Sequence, residues 1–266
     1  MNRKTWLILA GVLTVIGGLL FGGVMMAENG DFLALQTITF ETNTHQIETP
    51  YDNISINVDT ADLVLIPIEE TTTTVVCYEP EKVVHVVEIR DNTLCIDIVD
   101  SRAWYERIGI AFESSKVTVY LPQKQYAAVA VAASTADVEI EKLSANHLAL
   151  TLSTGDMRLT DVQCKNVSGT VSTGDIHLEY VIVAQELAMQ SSTGDIFLEG
   201  CDANHLKIKT STGDVKGWLL SPKVFIAKTN TGKVNVAQTT AGGLCEITTE
   251  TGDIDVDVLF MHVTTP

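Results

Sequence analysis

Residues 191–200 read SSTGDIFLEG, and close copies recur as LSTGDMRLTD (152–161), VSTGDIHLEY (171–180), TSTGDVKGWL (210–219) and TETGDIDVDV (249–258). An active site needs its special residues once, so repetition of this kind specifies architecture. Taking the threonine of each turn as a marker, Thr135, Thr154, Thr173, Thr193, Thr212, Thr231 and Thr251 are separated by 19, 19, 20, 19, 19 and 20 residues. A fixed period near 20 is the mark of stacked repeats. A weaker copy lies upstream, NISINVDTADLVLIPI at 53–68, with Thr60 in the marker place.

Alternation inside each repeat identifies what is stacked. Positions six, four and two before the marker are mainly apolar, as in Leu148, Leu150 and Leu152, or Leu206 and Ile208. Positions three and five after it are apolar again: Met157 and Leu159, Ile176 and Leu178, Ile196 and Leu198, Ile254 and Val256. A further apolar residue falls eight after it, in Leu143, Val162, Val181, Leu220 and Leu259. Period two on both sides of a glycine turn predicts two short strands per repeat, each with one buried face. One repeat cannot cover its own apolar face or pair its own edges, and a neighbour about 4.8 Å away does both. The predicted fold is all-β: a β-solenoid of stacked two-strand rungs with a period of 19–20.

The turn residues form the structural set of this reading: Thr154, Gly155 and Asp156; Thr173, Gly174 and Asp175; Thr193, Gly194 and Asp195; Thr212, Gly213 and Asp214; Thr251, Gly252 and Asp253. Glycine suits a tight reversal with positive φ, which it adopts without a Cβ clash. Ala61 and Ala136 replace it in the first two copies, so those turns should differ. Stacked threonines could also exchange hydroxyl hydrogen bonds. Carboxylates repeated every 4.8 Å repel by about 0.9 kcal/mol per pair even in water. Either each caps its own turn's backbone N–H, or the row holds weak Ca²⁺ sites. One oxygen per rung falls short of the six to eight that Ca²⁺ takes. In sequence Lys233 falls between Asp214 and Asp253, where its charge would relieve the repulsion.

Composition narrows the partners. The 266 residues carry 34 Asp and Glu against 17 Lys and Arg, a net charge of -17. Such a body repels phosphate backbones and argues against nucleic acid. Residues 6–26, WLILAGVLTVIGGLLFGGVMM, contain no charge and at about 1.5 Å per residue match a bilayer's core. A signal peptide's apolar region runs only about 7–15 residues, which favours a single uncleaved transmembrane helix. Arg3 and Lys4 precede the run and Glu28 and Asp31 follow it, which predicts a cytoplasmic N-terminus and an extracytoplasmic body. The expected organisation is a cytoplasmic tail (1–5), an anchor (6–26), a linker (27–35), a less regular strand-rich part (36–130) and the regular repeats (131–266).

Catalytic signals are missing from the motifs. Cys77, Cys95, Cys164, Cys201 and Cys245 form no CxxC pair, so no metal site is expected, and a Cys77–Cys95 bridge stays open. The six histidines show no metal or triad spacing, and His147 and His205 share one outward column. Trp104 and Tyr105 interrupt the strands at 101–115, as a recognition patch or as a cap over a core end.

A strand-rich leader ending in KVTVYLP (116–122), then repeated STGDI and STGDV turns, behind one N-terminal apolar segment, closely resembles the bacterial DUF4097 family. The family is also labelled as adhesin-like. The resemblance spans residues 36–259 and implies a β-solenoid outside the cytoplasm, with no catalytic residue and no cofactor to carry over. Its relatives are similar to accessory proteins of envelope-stress systems. The leading expectation is a membrane-anchored surface or envelope protein that binds an unknown protein or surface ligand. A regulatory protein acting through a membrane partner is the alternative, and a polysaccharide-active enzyme is the third.

Overall fold

The computed structural model describes residues 3–27, 38–103 and 113–259. Residues 28–35 of the expected linker, and Trp104 and Tyr105, lie outside them. Two units result, one of residues 1–39 with 102–113 and one of residues 40–101 with 114–266. The first contains helix α1 (Arg3–Ala27), long and apolar enough over Thr5–Gly23 to cross a membrane. Trp6, Leu7, Leu13 and Leu19 on it are exposed.

Among the described residues the regular elements of the second unit are all strands. Its first part contains β1 (Phe40–Ile47), β2 (Asn53–Val58), β3 (Asp62–Ile68), β4 (Thr73–Pro80), β5 (Val83–Arg90), β6 (Thr93–Asp100) and β7 (Lys116–Pro122). The repeats follow as long and short strands in alternation: β8 (Gln125–Thr135), β9 (Val138–Glu141), β10 (Ser144–Thr154), β11 (Met157–Thr160), β12 (Gln163–Thr173), β13 (Ile176–Glu179) and β14 (Ile182–Thr193). After them come β15 (Ile196–Thr212), β16 (Val215–Leu219), β17 (Lys223–Thr231), β18 (Val234–Val236), β19 (Gly243–Thr251) and β20 (Ile254–Val258).

Strand pairing is parallel and in register through the repeats. Thr135 pairs with Thr154, Thr154 with Thr173, Thr173 with Thr193, and Thr193 with Thr212. The short strands form a second ladder, Val138 to Met157 to Ile176 to Ile196 to Val215. Leu148, Leu150, Leu152, Met157 and Leu159 are all buried, as period two requires. Between the two ladders lies one core of Leu, Ile and Val columns. The position eight after the marker is buried in Leu143, Val162 and Val181. In the later copies Leu219 and Val258 are buried instead, while Leu259 is 50% exposed. The shift begins at an irregularity between Glu199 and Cys201, where β15 pairs with β16.

Spatial order departs from chain order at both ends. Thr212 pairs with Thr251, and Thr251 with Thr231, so β19 and β20 insert between β15/β16 and β17/β18. Burial follows this order. The inserted rung buries Cys245, Ile247, Ile254 and Val256 to within 1% exposure, whereas their register partners on the outer rung, Phe225, Ala227, Val234 and Val236, are only half-buried or exposed. A rung covered on both sides buries its inward column completely, and the terminal rung cannot. At the other end β2 and β3 pack directly on β8 and β9, with β6 and β7 outside them. β4 then pairs antiparallel with β7 and β1, and β5 with β6, which closes that end.

Candidate functional site

The Thr-Gly-Asp corners make an inter-rung seam, built almost wholly from backbone. At each regular corner the glycine N–H donates to the marker threonine carbonyl of the next rung, as from Gly155 to Thr173 at 3.0 Å and Gly174 to Thr193 at 2.9 Å. The residue after each aspartate donates to the next aspartate's carbonyl, as from Met157 to Asp175 at 2.9 Å. Such seams need close rungs. Gly174 has φ +143°, and a Cβ there would lie 2.0 Å from the Gly155 carbonyl oxygen. Ala61 and Ala136 are buried and absent from the positive-φ residues, so their corners do differ.

The aspartate carboxylates run between rungs, which corrects the expectation that each caps its own turn. Asp137 N–H donates to Asp62 Oδ1, Asp156 to Asp137, Asp175 to Asp156, Asp195 to Asp175, Asp214 to Asp195 and Asp253 to Asp214, at 2.7–3.1 Å. Each carboxylate sits against an amide dipole of its neighbour, and this offsets the repulsion along the column. Lys233 does not lie between Asp214 and Asp253. Its N–H donates to Asp253 Oδ1 at 2.7 Å, and having no carboxylate it ends the chain of bonds. The cation beside the column is Lys216, whose Nζ donates to Asp214 Oδ2 at 2.6 Å. That bond, then the Asp253 amide, hold the Asp214 carboxyl below its ordinary value.

A second corner was not legible in the motif. Lys142, Asp161 and Tyr180, each seven after its marker, take positive φ of 51–56°, and Gly200 continues the column at 66°. Beside this corner lies a groove of about 690 Å³. Its charged lining residues are Lys124, Lys142 and Lys165, with Ser144 and Tyr126 among the others and no carboxylate. Lys142 and Lys165 are exposed; Lys124 is tied to Asp52 and lies over the rings of Tyr51 and Tyr126. In a chain of net charge -17 a lining whose charged residues are all lysines is a local inversion of sign.

The outward columns carry further polar contacts. His147 and His205 share one column through Asn166 and Glu186. His205 Nε2 bonds Glu246 Oε2 at 2.7 Å. His177 stacks on Phe197 of the next rung at 4.7 Å. Cys77 and Cys95 are free thiols on opposite ladders, as β4 and β6 belong to different ones, so the bridge left open does not form.

One cluster has no counterpart in the sequence motifs. Cys77 and Glu79 face inward from β4, His85 faces inward from β5, and all three are at most 1% exposed. Glu79 accepts from Asn43 Nδ2 at 2.8 Å and from the His85 backbone N–H at 2.8 Å, and its Oε2 lies 2.5 Å from His85 Nδ1. One donor atom from each of the three residues lies within 4.8 Å of the others. Burial, and then the Glu79 charge, push the Cys77 thiol up to about 12. The pattern C-x-E followed six residues later by H becomes visible only when β5 is laid across from β4.

Two parallel strand ladders closed by glycine corners define an all-β repeat protein, and the matching family follows from it. The chain belongs to the Toastrack DUF4097 family, whose model matches residues 51–259. Among solved structures it is similar to a putative adhesin from Parabacteroides distasonis at 13% identity and a TM-score of 0.51, covering 83% of this chain and 98% of that one. A putative adhesin from Bacteroides fragilis has 15% identity and a TM-score of 0.44, covering 82% and 97%. A putative lipid binding protein from Parabacteroides distasonis has 16% identity and a TM-score of 0.41, covering 83% and 97%. No curated protein matches the chain.

Proposed function

We propose that this protein is a non-catalytic β-solenoid, held to the cell membrane by α1, whose body lies outside the cytoplasm and binds a partner in the cell envelope. The observation that carries the reading is the seam. Every aspartate that repetition could have offered as a catalytic or metal-binding group already accepts a neighbouring rung's amide. Those carboxylates are all bound in corners by the same backbone contact and only Asp214 has a lysine beside it, whereas glycoside hydrolysis needs an acid with a raised pKa facing a second carboxylate across the substrate. The adhesin description of the Parabacteroides distasonis protein agrees with a binding role.

The groove between Lys124, Lys142 and Lys165 is the surface we assign to the partner, through an anionic group on it. Lys142 and Lys165, in a lining that holds no carboxylate, attract anions, and the acidic remainder of the body repels them from other approaches. Two measurements test the reading. Protease added to intact cells should digest the body, and its full protection would remove the placement. Copurification from membranes should recover a partner with the wild-type chain and lose it with Lys142→Glu/Lys165→Glu. Unchanged recovery would remove the groove. A membrane-embedded protein as the recovered partner would favour a regulatory role over adhesion.

A further inference from the structure

We propose that Cys77, Glu79 and His85 form a binding site for a zinc-class transition-metal ion inside the closed end of the β-body, with His45 as fourth donor. Thiolate, imidazole and carboxylate are the donor set of Zn²⁺ and Co²⁺, whereas Ca²⁺ and Mg²⁺ take about six or more oxygens. The three residues approach from both ladders, so an ion there would cross-link the sheets where the regular stacking ends.

Unpartnered nitrogen atoms point to a ligand. His85 Nε2 and His45 Nε2 are both buried and neither has a hydrogen-bond partner among the described residues. Leaving a buried polar atom unsatisfied is costly and rare, so two at one end of a core call for a cause. A buried His85–Glu79 pair accounts for Nδ1 alone. His45 is placed to join the cluster: it pairs with Val75 on β4, and Asn43 beside it pairs with Cys77. That makes His45 a diagonal neighbour of Cys77 on the inward face, a separation of about 7–8 Å that an imidazole can span.

Charge favours occupation as well. A dication with one thiolate, one carboxylate and neutral imidazoles has no net charge, which is what a fully buried site tolerates. Tetrahedral coordination sets donors about 3.3–3.8 Å apart. The donors of Cys77, Glu79 and His85 lie within 4.8 Å, so small side-chain rotations bring these three to that spacing, with His85 and Glu79 moving apart from 2.5 Å, and His45 closes on them by a change of rotamer. Binding breaks the Cys77 S–H bond, forms the sulfur–metal bond and releases the proton to buffer, so acid weakens it.

The test uses the full chain in detergent, stripped with chelator under reducing conditions and titrated with Co²⁺. One equivalent should produce a thiolate-to-cobalt charge-transfer band and tetrahedral d–d bands, both abolished by added Zn²⁺. Cys77→Ser should lose the charge-transfer band, Cys95→Ser should keep it, and His85→Gln should weaken binding at least tenfold. A folded wild-type chain that develops no band, or a band that survives Cys77→Ser, overturns the site. Should Cys77→Ser fail to fold, X-ray absorption of the wild-type zinc complex decides. One sulfur among nitrogen and oxygen scatterers supports the site, and a shell without sulfur overturns it.

Discussion

At the scale of single residues, the repeat is fixed by where a Cβ can and cannot go. Gly174 combines φ +143° with a carbonyl oxygen 2.0 Å from the position of a Cβ, so alanine there must both strain the backbone and push two rungs apart. Gly174→Ala should lower unfolding stability by about 3 kcal/mol or more, read by denaturant titration. Alanine at 136 is native because that corner has another backbone form, so the pair of positions makes an internal control. Charge gives the second residue-scale prediction. Lys216 and the Asp253 amide hold the Asp214 carboxyl below the ordinary 3.8. A carboxyl lowered on folding stabilises above its unfolded value, and that contribution is lost as the pH falls through the lower folded value. Lys216→Ala should therefore raise the Asp214 midpoint in an NMR titration and flatten the fall in stability below 3.8. Glycine corners were legible because one residue type fills them in every regular copy. The second corner was not, since Lys142, Asp161 and Tyr180 share a left-handed backbone and no side-chain chemistry.

At the scale of elements, the seam separates two roles of aspartate that the sequence leaves fused. Asp195 Oδ1 accepts the Asp214 amide at 2.7 Å, while its negative charge repels the carboxylates above and below. Asn keeps the acceptor and removes the charge, whereas Ala removes both. Asp195→Asn should stay within about 0.5 kcal/mol of wild type, and Asp195→Ala should lose about 1.5–3 kcal/mol, the worth of a charge-assisted bond. Equal losses from both would show that charge, not acceptance, matters in the column. The sequence located the aspartates but not their partners. A side chain two residues past a turn reaches its own amide or the neighbouring rung's by similar torsions, and only the stacking distance decides. Cys77, Glu79 and His85 were illegible for a related reason. Their spacing of two and six residues gains meaning once β4 and β5 stand on opposite ladders.

At the scale of the molecule, rungs with interchangeable inward columns leave their order undetermined by pattern. The period marks which residues form a layer, and every layer offers Leu, Ile or Val to its neighbour, so alternation cannot say which neighbour comes next. The strand pairing does. β19 and β20 enter between β15/β16 and β17/β18, and the outer place falls to a rung with Lys233 at the end of the aspartate chain. A lysine at an open strand edge also discourages another chain from extending the ladder. The topology makes a prediction that a serial order does not. In a serial stack, truncation after residue 238 would remove only the last rung and leave residues 223–236 docked on their predecessor. In the observed order it removes the layer against which β17 and β18 pair, and exposes the β15 and β16 edges. Residues 223–236 should then lose hydrogen-exchange protection and become the first site of proteolytic cleavage, while the seam from Asp62 to Asp214 stays protected. Retained protection of 223–236 in the truncated chain would mean that β17 and β18 can dock on β15 and β16 directly, and that the inserted order is one of two near-equal packings.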